Sequence, residues 1–405
     1  MMNVRGKWLH PAASLVIGAV LALQGIGLTG CGNSDSTAAS PSSTQFVFTS
    51  DAHYGLMRTS GTGTFTVLST GATISAVADG HSVNAAMIAV MNTLPTVTFP
   101  ADSGVNAGKA VGAIDFVLEG GDIGNRMESA SSVQSAAASW AQFETDYVTS
   151  LTLKNKSGNK SDLYLVPGNH DVSNAIGYYK TMSPLTDATS MMQIYNTMMS
   201  PVTLRTAATY SYSTDKVYYS KNIGGVHFMF VGVWPDSKAR AWMTTDLANV
   251  SATTPAVIVA HDQPDVETKH LTNPNGSRTI NSADKFENVF DDLSSSLTIT
   301  GPSTVEQGQL VTFLKAHKNI VAYFHGNDHI NGTYQYTGPA GDISLNVVRV
   351  DSPMKGIASV PDPTQLTFKV VAIDAEAKNM TVRDYSWTIG SWGTGTTWSL
   401  APRSN

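Results

Sequence analysis

Five short apolar runs, each followed within two residues by glycine or by Asp, His or Asn, constrain this 405-residue chain most strongly. Runs of this length that are rich in β-branched and aromatic residues predict buried β-strands. In open α/β sheets, ligand sites assemble at the carboxyl ends of the strands. We therefore expect the polar residues after the runs to converge on one site. The runs cover residues 45–50, 114–119, 162–166, 256–260 and 319–324.

Other segments predict the rest of the fold. Apolar runs at 226–233, 345–350, 367–373 and 380–387 predict further strands. Helical spacing of apolar residues predicts helices at 83–91, 131–148 and 240–247. The stretch 54–68 is typical of a hairpin or surface loop, and the polar stretch 266–282 of a long loop. Strands divided by helices favour the α/β class, with two packed sheets and helices outside them.

The polar groups at the five strand ends form an ordered set of motifs. Taken singly, each is a weak signal, because a Gly-Asp pair usually marks a turn and a single histidine at a strand end is usually structural. The Gly-Asn-His-Asp motif is more specific, since an amide, an imidazole and a carboxylate follow a glycine that permits a tight turn. In chain order the motifs are Asp51-x-His53, Gly121-Asp122, Gly168-Asn169-His170-Asp171, His261 and Gly326-x-x-His329.

As an ordered set, these motifs resemble those of the calcineurin-like metallophosphoesterase superfamily, which includes purple acid phosphatases and many cyclic-nucleotide phosphodiesterases. The resemblance covers residues 46–387. It implies two packed mixed β-sheets flanked by helices in four layers, and two metal ions in the loops at the strand ends. No internal repeat is evident, so we interpret residues 46–405 as one domain, with loop insertions near 55–113 and 265–308.

The resemblance also implies roles for individual residues. The ligands of the first metal would be Asp51, His53 and His329. The ligands of the second would be Asn169 and His261. Asp122 would bridge the two ions. Mixed nitrogen and oxygen ligands suit Mn, Fe, Zn or Co, and the sequence does not choose among these metals. Two such ions would clamp phosphate oxygens and acidify a bridging water, which then attacks the ester.

Three further residues have roles implied by their motif positions. His170 would contact the substrate phosphate and protonate the leaving oxygen. Asp171 would orient His170 through a hydrogen bond. Arg126, four residues after Asp122, stands where some family members place a phosphate-contacting arginine, although an arginine in a loop is more often a surface charge.

One motif departs from the family pattern. Where the family has Gly-His-x-His, this chain has Gly326-Asn327-Asp328-His329. An amide oxygen binds a metal more weakly than imidazole, so the second ion would be held loosely, with Asn327 as its weak ligand. His325 lies on the same side of an extended strand as Asn327 and is an alternative ligand, although packing at the strand end is the more common role for such a histidine.

The N terminus predicts the compartment. Arg5 and Lys7 precede an apolar run at 12–28, and the run ends in Leu28-Thr29-Gly30-Cys31, which resembles the lipobox of bacterial lipoproteins. Residues 1–30 would be a signal peptide, Cys31 would carry the lipid, and residues 31–45 would form a flexible tether. An uncleaved membrane anchor with a chance cysteine is the alternative. We therefore expect an extracytoplasmic protein attached to a bacterial membrane.

Charge narrows the range of partners. The formal net charge is −6, and removal of Arg5 and Lys7 with the signal peptide makes it −8. A chain that binds polymeric nucleic acid needs clustered basic residues, so we expect a small phosphate ester as the substrate. The favoured function is metal-dependent hydrolysis of phosphate mono- or diesters. The alternative is a surface-anchored binding or adhesive module that keeps the fold but has a degenerate second metal site.

Overall fold

A computed structural model describes residues 43–125, 134–172, 189–211, 214–271 and 304–404. The predicted signal peptide, Cys31 and nearly all of the predicted tether lie outside these residues. Within them, no helix is both long and apolar enough to cross a lipid bilayer.

Seventeen strands lie within the described ranges. In chain order they are β1 (Thr44–Thr49), β2 (Met57–Thr59), β3 (Phe65–Thr66), β4 (Thr73–Ile74), β5 (Val77–Asp79), β6 (Phe116–Glu119), β7 (Asp162–Leu165), β8 (Tyr218–Ile223), β9 (Val226–Val231), β10 (Ala256–Val259), β11 (Ile320–His325), β12 (Gly332–Tyr336), β13 (Leu345–Arg349), β14 (Thr367–Asp374), β15 (Asn379–Ser386), β16 (Ser391–Trp392) and β17 (Thr396–Ser399).

Five α-helices accompany them: α1 (Gly80–Met91), α2 (Ala136–Phe143), α3 (Thr189–Met199), α4 (Ser237–Leu247) and α5 (Thr304–Ala316). A π-helical segment, Glu144–Ser150, continues α2. Short 3-10 turns lie at Leu94–Thr96, Thr268–Leu271 and Pro363–Gln365. Asp79 begins α1 and Asp236 begins α4, in each case by accepting a hydrogen bond from a backbone N–H of the first turn.

Most of the strands belong to two mixed sheets. The first has the order β16-β15-β14-β1-β6-β7, with β17 also paired to β15, and the second has the order β12-β13-β11-β10-β9-β8. Strand β1 runs parallel to β6 and β6 parallel to β7. In the second sheet β10 lies parallel to both β9 and β11. Two small sheets, β2 with β5 and β3 with β4, lie in the predicted insertion.

Aromatic side chains join the two large sheets face to face. The ring of Phe46 on β1 stacks on Phe116 of β6, with 4.4 Å between centroids. The same ring meets Phe228 of β9 at 5.8 Å and Phe324 of β11 at 5.7 Å. All four side chains are buried, so this contact forms the core between the sheets.

Helices cover the outer faces of both sheets. Thr49 on β1 places its hydroxyl against Met87 of α1 and Tyr147 of the π-helical segment. In the second sheet, Met229 and Ile258 belong to a separate buried cluster with side chains of α4 and α5. The result is the α/β architecture of four layers that the sequence predicted.

The sequence located the strands more accurately than the helices. Each predicted run overlaps an observed strand, and the first and last residues of the run lie within two residues of those of the strand. The helix expected at 131–148 is shorter and passes into the π-helical segment. Helices α3 and α5 had not been predicted. The stretch 54–68, expected to be a hairpin or loop, contains β2 and β3, which pair with β5 and β4 rather than with each other.

Candidate metal centre

The five motifs meet at one edge of the two sheets. Loops after β1, β6 and β7 bring Asp51, His53, Asp122 and Asn169 from the first sheet. Loops after β10 and β11 bring His261 and His329 from the second. The parallel pairing of β1 and β6 continues into the loops, since the Asp51 N–H donates to the Gly121 carbonyl at 2.8 Å and the His53 N–H to the Asp122 carbonyl at 2.9 Å.

The backbone of these loops is strained. Five residues of the motifs have a positive φ, in the left-handed region that non-glycine residues rarely adopt. Such conformations persist where the surrounding structure enforces them, and they concentrate at functional sites. The residues and angles are Asp51 (59°), His53 (44°), Asp122 (59°), Asn327 (63°) and His329 (53°).

Two motif glycines are required by close packing of the loops. Gly121 has a φ of 100°, and a Cβ there would lie 2.6 Å from the Gly168 nitrogen. A Cβ on Gly168 would lie 2.2 Å from Asp122 Oδ1. A side chain at Gly121 would displace the Gly168 backbone and His261, and a side chain at Gly168 would displace Asp122, which explains why glycine precedes Asp122 and Asn169.

The first group of donor atoms comes from Asp51, His53, Asp122 and His329. One potential ligand atom from each residue lies within 4.8 Å of the others. The two Nε2 atoms of His53 and His329 are 3.3 Å apart. Asp51 Oδ1 is 3.2 Å from His329 Nε2 and 3.6 Å from His53 Nε2. Three of the residues are buried and His329 is partly exposed, so the group opens to solvent at one side.

A second group of donor atoms lies on the other side of Asp122. His261 Nε2 is 3.1 Å from Asn169 Oδ1 and 3.4 Å from Asp122 Oδ1. His261 Nδ1 lies 2.7 Å from the Gly120 carbonyl, which fixes the Nδ1 proton toward that oxygen and leaves Nε2 as the ligand atom. Asp122 therefore faces both groups, with Oδ2 toward His53 and Oδ1 toward His261.

The first group of atoms fits a metal ion, and Asn169 and His261 add further ligand atoms beside the shared Asp122. Lone pairs of nitrogen and oxygen converge in a buried space, an arrangement that is costly unless a cation or proton lies between them. Among the described residues, Asp51 Oδ1 makes no hydrogen bond although it is buried. Asp, His and Asn are also the ligand types that Mn, Fe, Zn and Co accept.

Neighbouring charged groups at the site shift one another's pKa values. Burial alone would raise the pKa of Asp122, but His261, His170 and His53 hold that pKa well below its usual range. Burial opposes protonation of His261, yet Asp122 raises the pKa of His261 well above its usual value. Burial, followed by the charge of Lys355, lowers the pKa of His53 to about 4. The Asp122 carboxylate is thus held ionised, as metal binding requires.

His170 lies beside the shared carboxylate. Its backbone N–H donates to Asp122 Oδ1 at 2.6 Å, and its Nε2 is 4.0 Å from Asp122 Oδ2. Its Nδ1 is 2.5 Å from the carbonyl of Asn125, so the Nδ1 proton is held there and Nε2 faces the site. Burial lowers the pKa of His170 well below its usual value, which keeps the ring neutral.

The expectation that Asp171 orients His170 is wrong. The Asp171 carboxylate accepts backbone N–H groups instead, from Gly168 at 2.9 Å, Gly124 at 3.0 Å and Ile123 at 3.2 Å. Asp171 therefore fastens the loop after β7 to the loop after β6, and the Asn125 carbonyl orients His170. Burial, followed by the charge of Asp122, raises the pKa of Asp171 to about 7.

Asn327 lies beside the site with its amide turned to other residues. Its backbone N–H donates to Asp51 Oδ2 at 3.0 Å. Its side-chain nitrogen donates to Asp262 at 2.9 Å, and Gln263 and Glu267 offer further oxygen acceptors at 3.0 and 3.4 Å.

The alternative ligand His325 is engaged elsewhere. Its Nδ1 is 2.8 Å from the Gly326 carbonyl, and its Nε2 is 3.0 Å from the Tyr334 hydroxyl. The ring is fully buried. His325 thus has the packing role considered for it.

Two residues had not been predicted: Lys355, which contacts His170, and Arg58, which contacts the loop that carries Lys355. Lys355 Nζ lies 3.1 Å from His170 Nε2. Arg58, in the predicted insertion, is buried and donates to the carbonyls of Pro353 and Ser359. A sequence signal for Lys355 did exist, since Asp351 and Ser352 follow a strand as the other motifs do. Arg126 lies outside the described residues.

Comparisons with known proteins give distant structural likenesses. No family model and no curated protein matches the chain. Among solved structures, a dimetal phosphatase from Danio rerio has 11% identity and a TM-score of 0.46, with 88% of this chain and 99% of that chain covered. A phosphopantetheinyl hydrolase from Mycobacterium tuberculosis has 10% identity and a TM-score of 0.31, with 78% of this chain and 92% of that chain covered. Vps29 from Entamoeba histolytica, complexed with zinc, has 8% identity and a TM-score of 0.32, with 88% of this chain and 99% of that chain covered.

The chain's own structure defines its class. Two packed mixed sheets carry all five motifs to one edge, where Asp and His side chains form a group able to hold a metal ion. This is the α/β class with two packed mixed sheets, and the motifs at one edge, that the sequence predicted.

Proposed function

We propose that this protein is a metal-dependent hydrolase of phosphate mono- or diesters. The observation that carries the proposal is the position of Asp122, whose two carboxylate oxygens face two adjacent groups of ligand atoms. The first ion would be held by Asp51, His53 and His329, and the second by Asn169 and His261, with Asp122 shared. Bound there, two ions would neutralise phosphate charge and lower the pKa of water.

The residues around these ligands support the same function. His170 Nε2 faces the space beside Asp122, where its lone pair can accept a proton or a hydrogen bond beside a bound ester. The Asn125 carbonyl fixes the ring orientation, and Asp171 holds together the loops that carry Asp122 and His170. These contacts position the side chains before substrate arrives, as catalysis by orientation requires.

Hydrolysis assays test the proposal. The soluble fragment from Ser34 onward, supplied in turn with Mn²⁺, Fe²⁺, Zn²⁺ and Co²⁺, should hydrolyse p-nitrophenyl phosphate or bis-p-nitrophenyl phosphate. Asp122→Asn and His170→Ala should each remove most of that activity. Lys154→Gln is a control, because Lys154 is exposed and lies near the end of β6 opposite the site. A wild-type fragment inactive on both esters with every metal would overturn the proposal.

We further propose that the protein acts outside the cytoplasm, attached to a bacterial membrane by a lipid on Cys31. The lipobox-like sequence Leu28-Thr29-Gly30-Cys31 supports this location. Expression of the full chain in a bacterial host with labelled fatty acid should label the wild-type protein and not Cys31→Ser. Equal labelling of the two proteins, or none in either, would contradict the proposal.

A further inference from the structure

Lys355 brings a positive charge to the place where a phosphate ester would lie. Its Nζ is 3.1 Å from His170 Nε2, and that nitrogen is 4.0 Å from Asp122 Oδ2. The ammonium group therefore lies beside His170 Nε2, the ring nitrogen that also faces the shared carboxylate. None of the sequence motifs contains this residue.

The hydrogen bonding of His170 defines the direction of this contact. The Nδ1 proton is directed to the Asn125 carbonyl, so Nε2 carries a lone pair and accepts a hydrogen bond. Lys355 is the donor of that bond. An ammonium group carries a full positive charge, so Lys355 attracts an anion that binds beside His170.

The loop that carries Lys355 is fixed at several points. The Ser352 hydroxyl accepts the N–H groups of Met354 at 3.1 Å and Lys355 at 2.9 Å. The same hydroxyl donates to the Asp51 carbonyl at 2.8 Å, which ties the loop to a predicted metal ligand. The Ile357 N–H donates to the His329 carbonyl at 3.0 Å, which joins the loop to a second predicted metal ligand.

Arg58 completes this support from the insertion. The guanidinium is buried, and its two terminal nitrogens donate to the carbonyls of Pro353 and Ser359, one on each side of Lys355. A Cβ on Gly356 would lie within 2.2 Å of Asp351 and Ser359, so the turn after Lys355 is closely packed. A lysine on so constrained a loop is presented at a defined position, unlike a lysine on a free surface.

We propose that Lys355 is a phosphate-binding residue that favours phosphate monoesters over diesters, an inference that rests on the proposed hydrolase function. A monoester is a dianion near neutral pH, whereas a diester is a monoanion, so the monoester carries one more negative charge. A cation at Nζ stabilises the extra charge of the monoester.

The test compares Lys355→Gln with Lys154→Gln, which removes the same charge from an exposed position near the opposite end of β6. For the metal-loaded protein, we expect Lys355→Gln to lower kcat/KM for p-nitrophenyl phosphate by about 100-fold, the size of effect that loss of one such donor has in other enzymes. The value for bis-p-nitrophenyl phosphate should change by less than about fivefold, and Lys154→Gln should change neither. Equal losses on both esters, or no loss on the monoester, would overturn the proposal.

A binding measurement separates this inference from the proposed function. Calorimetric titration of the metal-loaded protein with inorganic phosphate should show binding to the wild type and to Lys154→Gln, and at least tenfold weaker binding to Lys355→Gln. Metal content and thermal melting of the three proteins should agree, which excludes misfolding as the cause. If the wild type hydrolyses neither ester, the hydrolase proposal fails, and this titration alone decides the role of Lys355. Equal phosphate affinity in all three proteins would overturn it.

Discussion

The side-chain amide of Asn327 donates a hydrogen bond of 2.9 Å to the carboxylate of Asp262, the residue that follows the predicted ligand His261. An imidazole in place of this amide would have the same carboxylate as its ring partner, an arrangement that orients metal-binding histidines and strengthens their binding. We expect Asn327→His to bind its second metal ion at least tenfold more tightly than the wild type.

Calorimetric titration with Mn²⁺ measures this effect. The wild type should show one tight and one weaker site, and Asn327→His should show two sites of similar affinity. Asn249→His is the matched control, since Asn249 is exposed near the end of α4. Unchanged affinities in Asn327→His would contradict the view that Asn327 weakens the second site.

Removal of metal should destabilise the fold. Ions that bind only the folded state add about 3 kcal/mol at a concentration 100-fold above Kd. Mn²⁺ should therefore raise the melting temperature of chelator-treated wild-type protein. The rise should be much smaller in Asp122→Asn, which loses charge at the carboxylate facing both ligand groups. A rise of equal size in both proteins would mean that the metal binds elsewhere.

The sequence predicted the strands and the convergence of the motifs because both depend on local patterns. Apolar runs of strand length predict buried strands, and the carboxyl ends of strands lie at a shared edge. Asp51, Asp122, Asn169, His261 and His329 could be placed together on that basis alone. The expected bounds of the strands differ from the observed ones by one or two residues at most ends.

The remaining features depend on contacts that no local pattern encodes. Arg58 and Pro353 are 295 residues apart in sequence and meet only after the sheets have packed. Asp171 follows His170 directly, but the tight turn directs its carboxylate to three backbone N–H groups instead of the imidazole. Helix α5 contains Thr, Gln and Gly among its apolar residues, so its apolar face is weakly marked.

A buried ion pair on the first sheet gives a test of stability. Lys369 on β14 is almost fully buried and forms an ion pair with Asp384 on β15, which also accepts a hydrogen bond from Asn331. Removal of one partner of a buried pair leaves a buried charge, which costs about 3–5 kcal/mol. We expect Asp384→Ala to lose this much stability, because it leaves the Lys369 ammonium buried without its carboxylate partner.

The reverse substitution should cost less. Asp384 is 24% exposed, so Lys369→Met leaves a carboxylate that water can reach. Urea unfolding of Asp384→Ala, Lys369→Met and the double variant measures the difference. The double variant should be more stable than Asp384→Ala alone. A double variant as unstable as Asp384→Ala would show that the buried ammonium is not the cause.

Asp351 should make stability depend on pH. Burial raises the pKa of Asp351 to about 6, whereas the pKa of Asp in an unfolded chain is about 3.9. The folded state thus binds this proton more tightly, and its contribution to the free energy of unfolding falls as pH rises from about 4 to about 6. The full contribution is at most about 3 kcal/mol.

Asp351→Asn removes this titration. We expect the free energy of unfolding of metal-depleted Asp351→Asn, measured in urea, to fall less between about pH 4 and pH 6 than that of the wild type. Metal-depleted protein is used because the nearby Asp51 and His329 also influence Asp351. Equal slopes in the two proteins would show that Asp351 is not titrating in this range.

The most direct test of the dinuclear site is anomalous diffraction from crystals grown with excess Mn²⁺. We expect two manganese peaks about 3.5–4 Å apart, one on each side of the Asp122 carboxylate. One peak should lie among Asp51, His53 and His329, and the other beside Asn169 and His261. A single peak, or no peak at these residues, would contradict the account and favour a binding module with a degenerate site.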